Sequence, residues 1–320
     1  MRVTGVDEYG GPEVLREFEV PEPHAGPGEI RIAVRAAAVN PTDTLLRSGA
    51  RAEMLADVPR PHVPGMDAAG VVDEVGADVD RFDLGDDVMA ILLPRATHGG
   101  YAQYVVVPAE SAVKMPSNVT HAEASTLPMN GLTAQLALDL LDLPAGSTIG
   151  VTGAAGAFGG YVVELAKVRG LRVVADASPA DVDLVRGLGA DVVVARGDDV
   201  ADRFLAECPG GLDAIADGSL QAPLLLRAIR DGGAIATVRG WDGPTERDIT
   251  AHPVWVRDYV RATDSLDELR RLVEEGRVTL RVAAEVPAAD AATAHAALEA
   301  GGRRGRFVLV RGDSSSPDVH

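Results

Sequence analysis

Cysteine is nearly absent from this chain: Cys208 is the single one among 320 residues. That excludes an internal disulfide framework and any metal site built from several thiolates. Cations are outnumbered. Thirty Lys and Arg face 48 Asp and Glu, for a formal net charge of −18. A nucleic-acid groove needs a basic stripe and does not fit that balance. The cluster Arg303, Arg304 and Arg306 reads as a solvated turn. No apolar run reaches the roughly 18 residues that span a bilayer. The stretch Met1-Arg-Val-Thr-Gly5 lacks the apolar core of a signal peptide. A cytoplasmic protein with no membrane partner is the expectation. The seven histidines keep no metal-ligand spacing. No Gly-x-Ser-x-Gly elbow of a serine hydrolase occurs, and no internal repeat is visible.

What the chain does have is a glycine turn in a telling place. Val151-Thr-Gly-Ala-Ala-Gly-Ala-Phe-Gly-Gly160 follows an apolar run, 147–152, and precedes a helix-like segment, 161–168. Strand, glycine turn, helix is the context in which such a pattern means dinucleotide binding. Gly153 allows the sharp turn, Gly156 lets backbone approach a pyrophosphate, and Gly159 lets helix and strand pack closely. Ala154, Ala155, Ala157 and Phe158 complete the turn, and phosphates would sit on the positive end of the helix. Further strands are expected at 172–175, 191–195, 212–217 and 234–238, with helices at 180–187, 200–207 and 222–229. This alternation implies right-handed βαβ units and a parallel sheet.

Residues 1–118 read differently. Short strands at 29–37, 70–75, 87–91 and 101–107 are separated by Gly, Pro and Asp turns, which predicts a mostly antiparallel β-domain. Residues 265–275 place Leu266, Leu269, Leu272 and Val273 on one helical face. The final strand, 306–310, is expected to return to the first domain. The fold class is therefore α/β. A Rossmann domain over 119–255 is set beside a β-domain over 1–118, completed by 256–312, with a cleft between them. A disordered tail is expected over 313–320.

The motifs, taken in order, resemble the medium-chain dehydrogenase/reductase superfamily, in its zinc-independent quinone oxidoreductase (zeta-crystallin-like) branch with a GroES-like catalytic domain. They are Tyr9-Gly-Gly-Pro-Glu-Val-Leu15, Ala38-Val-Asn-Pro-Thr-Asp43, Pro64-Gly-Met-Asp-Ala-Ala-Gly-Val-Val72, Gly99-Gly-Tyr-Ala-Gln-Tyr104, Gly131-Leu-Thr-Ala134, the glycine turn, and Arg303-Arg-Gly-Arg-Phe-Val-Leu309. The resemblance covers nearly the whole chain. It implies NAD(P)H-dependent hydride transfer to a quinone or an α,β-unsaturated carbonyl, and a homodimer. An enoyl-thioester or secondary-metabolite tailoring reductase is the near alternative. A non-catalytic nucleotide-binding structural protein is the alternative of a different class.

Zinc-dependent relatives carry Cys and His ligands where this chain has Asn40 and Met66, so no metal is expected. Asn40 and Asp43 are the catalytic candidates at the nicotinamide end. Asn40 equally reads as a cap before Pro41, and Asp43 as an acceptor for backbone near its own turn. Leu45 stands where several relatives carry a tyrosine, which makes the substrate pocket more apolar; Met66 and Trp241 are its other candidate lining residues. Trp241 reads equally well as a packing residue. Thr133 and Gly240 are candidate cofactor contacts, as is Ser178 in the loop after the second strand. Asp176 ends that strand about 20 residues past the turn, where a carboxylate accepts ribose hydroxyls and repels a 2′-phosphate. Arg196, after the next strand, is the candidate phosphate ligand. Asp176 thus favours NADH, and the resemblance favours NADPH.

Overall fold

The structure is a computed structural model that describes residues 1–241 and 243–312. The tail expected over 313–320 lies outside them. Two compact units form. One holds Met1–Met129, Val260–Glu274 and the described residues from Leu280 onward; the other holds Asn130–Tyr259 and Glu275–Thr279. The first division falls after 129, not near 118. The helices here are α1 (Pro41–Arg47), α2 (His121–Ala124) and α3 (Pro128–Leu141). Helix α2 stays with the first unit because it packs on that unit's sheet, and the start of α3 is tied to Asp67.

The strands of the first unit are β1 (Arg2–Gly5), β2 (Arg16–Glu19), β3 (Glu29–Ala38), β4 (Asp67–Val75), β5 (Asp87–Ile91), β6 (Tyr104–Pro108) and β7 (Ala112–Lys114). The second unit supplies β8 (Thr148–Thr152), β9 (Arg172–Ala177), β10 (Val192–Ala195), β11 (Leu212–Asp217), β12 (Ile229–Val238) and β13 (Thr250–Val254). The chain closes with β14 (Val282–Pro287) and β15 (Arg306–Val310), back in the first unit. The remaining helices are α4 (Ala157–Val168), α5 (Val182–Gly187), α6 (Val200–Glu207), α7 (Ala222–Leu225), α8 (Thr263–Glu274) and α9 (Ala291–Ala300).

In the first unit the main sheet runs β14-β15-β3-β4-β5-β7, with β6 on β3. Strand β3 shows why it is a strand. Ile30, Ile32 and Val34 are buried while Glu29, Arg31 and Ala33 between them are half-buried, a period of two that puts one face on the core. The pairs among β3 to β7 are antiparallel; only β14 joins β15 in parallel. Strand β15 pairs antiparallel with β3, Val308 opposite Ala38. Helix α8 buries Leu266, Leu269, Leu272 and Val273, the face its periodicity defines.

The second unit is a parallel sheet in the order β10-β9-β8-β11-β12-β13. The order reverses at β8, whose neighbours are β9 on one side and β11 on the other. The carboxyl end of such a switch point is where open α/β sheets hold ligands, and the glycine turn leaves β8 there. Helix α4 starts at Ala157, four residues before the apolar run, because Gly159 and Gly160 sit inside the helix. The expected helix over 222–229 shortens to one turn of α7 and a 3-10 turn, after which β12 begins at Ile229. The expected helix over 180–187 opens with a 3-10 turn, Pro179–Asp181. Among the described residues no helix is long and apolar enough to cross a membrane.

Candidate functional site

In the second unit the chain leaves β8 at Gly153, whose φ of 65 suits glycine. Gly156 N–H closes the turn on Gly153 O at 2.9 Å. Gly156 is then the N-cap of α4, and among the described residues no side chain caps it. The positive end of the helix dipole favours an anion there. The two remaining glycines differ. A Cβ on Gly159 would lie 2.4 Å from Gly153 O and 2.8 Å from Ala154 Cα, so Gly159 serves the packing of helix on strand. Among the described residues, a Cβ on Gly156 would meet only Gly153 O, at 3.0 Å. Gly156 is thus far less crowded by them than Gly159. Ala154 and Ala155 are buried, Ala157 and Phe158 half-buried.

Asp176 joins this turn: its Oδ1 accepts the Ala154 N–H at 3.2 Å. Burial pushes its carboxyl up, while the Ala154 and Gly153 N–H groups and the charge of Arg196 pull it down. Arg196 is exposed, and its backbone N–H bonds Ala177 O at 2.9 Å. Ser178 spends its hydroxyl locally, on Asp181. Thr133 is buried on α3. Gly240 has a φ of 74, and the ring of Trp255 fills the place where its Cβ would stand. Trp241 is partly buried against the core of the sheet, and its carbonyl accepts the Thr237 hydroxyl at 3.2 Å. Asp217 was not anticipated. From the end of β11 it accepts the Thr152 hydroxyl at 2.7 Å and the N–H groups of Ser219 and Gln221 at 3.0 and 2.8 Å, which fastens the carboxyl ends of β8 and β11 together.

The first unit brings Asn40 and Asp43 into a buried polar network. They form a capping box at the start of α1, with Asn40 N–H donating to Asp43 Oδ2 at 2.7 Å. Asp43 Oδ1 accepts the Gly65 N–H at 3.0 Å, and the Tyr101 hydroxyl reaches Asp43 Oδ2 at 3.4 Å. Asn40 Nδ2 donates to Asp67 Oδ2 at 2.6 Å. Asp67 Oδ1 accepts the Met129 N–H at 2.7 Å. The Tyr101 hydroxyl also contacts His295 Nε2 at 2.9 Å. Both readings of Asn40 and Asp43 that concern local backbone are therefore visible in the structure. Asp43 acts there as an acceptor that ties α1 to the Pro64–Gly65 turn. Leu45 is half-buried on α1, and Met66 is buried.

Electrostatics makes this network unusual. Burial raises the carboxyl of Asp43 to about 6, against the pull of the Asn40 and Gly65 N–H groups and of Arg306. Burial likewise raises Asp67 to about 7, against its bonds from Met129 and Asn40, and the charge of Asp43 adds to the rise. Two like charges removed from water oppose each other's ionisation. Burial also holds His295 neutral, with its pKa lowered to about 3. Asp67, Tyr101 and His295 are functional candidates beyond those named from sequence: the first two lie inside quoted motifs, and His295 lies in none. Their numbers are far apart, and only the fold collects them. Among the described residues no group of three or more His, Cys, Asp or Glu side chains gathers as a metal set.

Fold and turn together define a Rossmann-class nucleotide-binding protein with an appended, mostly antiparallel β-unit. Residues 26–117 match the alcohol dehydrogenase GroES-like domain family, and residues 188–309 match the zinc-binding dehydrogenase family. The chain is 32% identical to an NADPH-dependent alkenal/one oxidoreductase of Arabidopsis thaliana, over 87% of this chain and 70% of that protein. It is 30% identical to a quinone oxidoreductase of Pseudomonas aeruginosa, over 94% and 97%. A crystal structure of an NAD-dependent alcohol dehydrogenase superimposes with a TM-score of 0.85 at 30% identity, over 98% of this chain and all of that one. The chain spans 57% to 62% of the length of several plant relatives. It belongs to the medium-chain dehydrogenase/reductase superfamily, in the zeta-crystallin-like quinone oxidoreductase branch.

Proposed function

We propose that this protein transfers hydride from NAD(P)H to a quinone or an α,β-unsaturated carbonyl without a metal ion. The observation that carries the reading is the glycine turn leaving β8 at the β8/β11 switch point, with Asp176 bonded into it. The relatives named above, one acting on alkenals and enones and one on quinones, supply the substrate class. The nicotinamide, when bound, supplies the hydride. The chain's own part is binding and orientation. The start of α4 and the bare Gly156 would take the pyrophosphate, and Asp176 would meet the adenosine ribose. Substrate lies with Leu45 and Met66 in this reading, and Asn40 and Asp43 set the start of α1 that carries Leu45. Zinc independence rests on Asn40 and Met66, which stand where zinc-dependent relatives have ligands. A homodimer and a cytoplasmic setting belong to the same reading. Strand β13 ends the parallel sheet among the described residues, and in this reading its outer edge meets a second copy.

The test is oxidation of NADH and of NADPH, followed at 340 nm, with a benzoquinone, a conjugated enone and an enoyl thioester. Turnover with quinone or enone that survives prolonged chelation is expected. Nucleotide binding with no turnover on any acceptor would leave a non-catalytic binder in its place. Asp176 favours NADH, so wild type is expected to use NADH at least as well as NADPH, and Asp176→Ser to shift kcat/KM toward NADPH by roughly tenfold. A wild type that already prefers NADPH tenfold would transfer that role to Arg196.

A further inference from the structure

Asp67 opens β4 with no exposure to solvent, and both of its oxygens are committed to N–H donors on other elements. Oδ2 takes Asn40 Nδ2 at 2.6 Å, at the start of α1. Oδ1 takes the Met129 N–H at 2.7 Å, in the first turn of α3. Asn40 is itself fixed at the start of α1, where its backbone N–H donates to Asp43 Oδ2 and its carbonyl accepts the Asp43 N–H. A backbone N–H such as that of Met129 cannot turn over at all. An ionised carboxylate takes both N–H groups as charge-assisted bonds; a protonated one carries a donor on one oxygen and accepts there only through its weaker hydroxyl lone pair. A proton on Asp67 therefore removes the charge from both bonds and weakens one of the two contacts most.

We propose that Asp67 is a positioning residue: its ionised carboxylate holds the start of α1 and the first turn of α3 in place together, and loss of its charge loosens one of them. For activity the inference rests on the function proposed above, since α1 carries Leu45. The groups that face Asp67 are few. Asp43 on α1 opposes its charge and Arg306 on β15 favours it. The Tyr101 hydroxyl lies between Asp43 and the neutral His295 of α9. Arg47, at the end of α1, is paired with Glu299 of α9. The dominant influence is burial, which brings the titration of Asp67 to the neutral range, so ordinary changes of pH reach it.

Two measurements on the full chain test this. The first is amide hydrogen exchange, corrected for the intrinsic pH dependence, in peptides covering 40–47 and 128–134. Asp67→Asn puts an NH2 against one of the two donors. It is expected to speed exchange at least threefold in one of these peptides while β8 to β13 keep their protection. The second is the pH profile of kcat/KM between about pH 5.5 and 8.5. Wild type should lose activity on the acid side, roughly threefold to tenfold from pH 8 to pH 6, and Asp67→Asn should be flat and low. Asn40→Ala removes a bond that lowers the Asp67 pKa, so the acid limb should move up by about one pH unit; this variant decides the matter should Asp67→Asn fail to fold. Unchanged exchange in both peptides, or a limb at the same pH in every variant, overturns the proposal. If wild type turns over no acceptor, the functional reading falls, and the exchange experiment still decides on Asp67.

Discussion

Gly156 and Gly159 lie three residues apart in one turn and answer to different constraints. Backbone crowds Gly159 at 2.4 Å, whereas among the described residues only a single carbonyl, at 3.0 Å, meets a Cβ at Gly156. A side chain at 156 thus costs the unliganded fold little and stands where a pyrophosphate must come. Gly156→Val is expected to weaken nucleotide binding at least tenfold, measured by fluorescence titration, with a melting temperature within about 3 °C of wild type. Gly159→Val is expected to lower that temperature by far more. Equal losses for the two variants would show Gly156 to be an ordinary packing glycine. The glycine pattern in the sequence already pointed to this turn, because each glycine's role follows from local backbone geometry. The network around Asp67 was not legible in the same way. Asp43, Asp67, Tyr101 and His295 follow no spacing rule, and only the fold brings α1, β4, the segment before β6 and α9 together.

Among the elements, those with a clean apolar period were legible to the residue. Strands β5, β11 and β15 and helix α6 begin and end where their patterns do. Strand β13 was missed, since Thr-Ala-His-Pro-Val has little apolar period and contains Pro253. That proline is tolerated because β13 is the last strand in the sheet order, where a lost donor matters little. Strand β14 is an edge too, with Ala284, Glu285 and Pro287 exposed, and α9 is mostly alanine, so neither showed a burial pattern. Yet α9 anchors α1. His295 and Glu299, one turn apart on α9, meet Tyr101 and Arg47. The Arg47 side chain is 4% exposed, and Glu299 takes its guanidinium at 2.5 and 3.2 Å. Removing the charge of Glu299 leaves a buried cation poorly compensated. Glu299 is itself 41% exposed, and solvent screening reduces the loss. Glu299→Gln should destabilise by about 1–2 kcal/mol in urea unfolding. A cost below about 0.5 kcal/mol would class the pair with surface bridges.

For the whole molecule, the buried acids set an unusual slope of stability with pH. A carboxyl whose pKa is raised by folding binds its proton more tightly folded than unfolded. Its contribution therefore falls as pH rises from its ordinary value near 4 to the raised value. For Asp67 that window runs from 3.8 to about 7. His295, with its pKa lowered from 6.5 to about 3, acts in the opposite sense, and stability from it is lost as pH falls below 6.5. The surface acids Asp86, Asp191 and Asp267 have lowered pKa values and lose their contribution only in stronger acid. The Asp67 part is isolated by difference. The melting temperature of Asp67→Asn minus that of wild type should rise by roughly 2–6 °C from pH 5 to pH 8; a difference constant with pH would refute it. Asp67 ionised is thus the form that positions α1 and α3 and also the form that burial disfavours. The sheet of the first unit carries a different consequence. Strand β3 pairs with β15, and Ala38 and Val308 lie about 270 residues apart. A ribosome adding about 5–20 residues per second delivers β15 roughly 15–50 s after β3. During that interval the nascent chain can complete the second unit, whose strands are consecutive, while β3, already paired with β4 and with β6 over Glu29–Ala33, waits for β15 only at Ala36–Ala38. The first unit should therefore be the last part of the chain to mature.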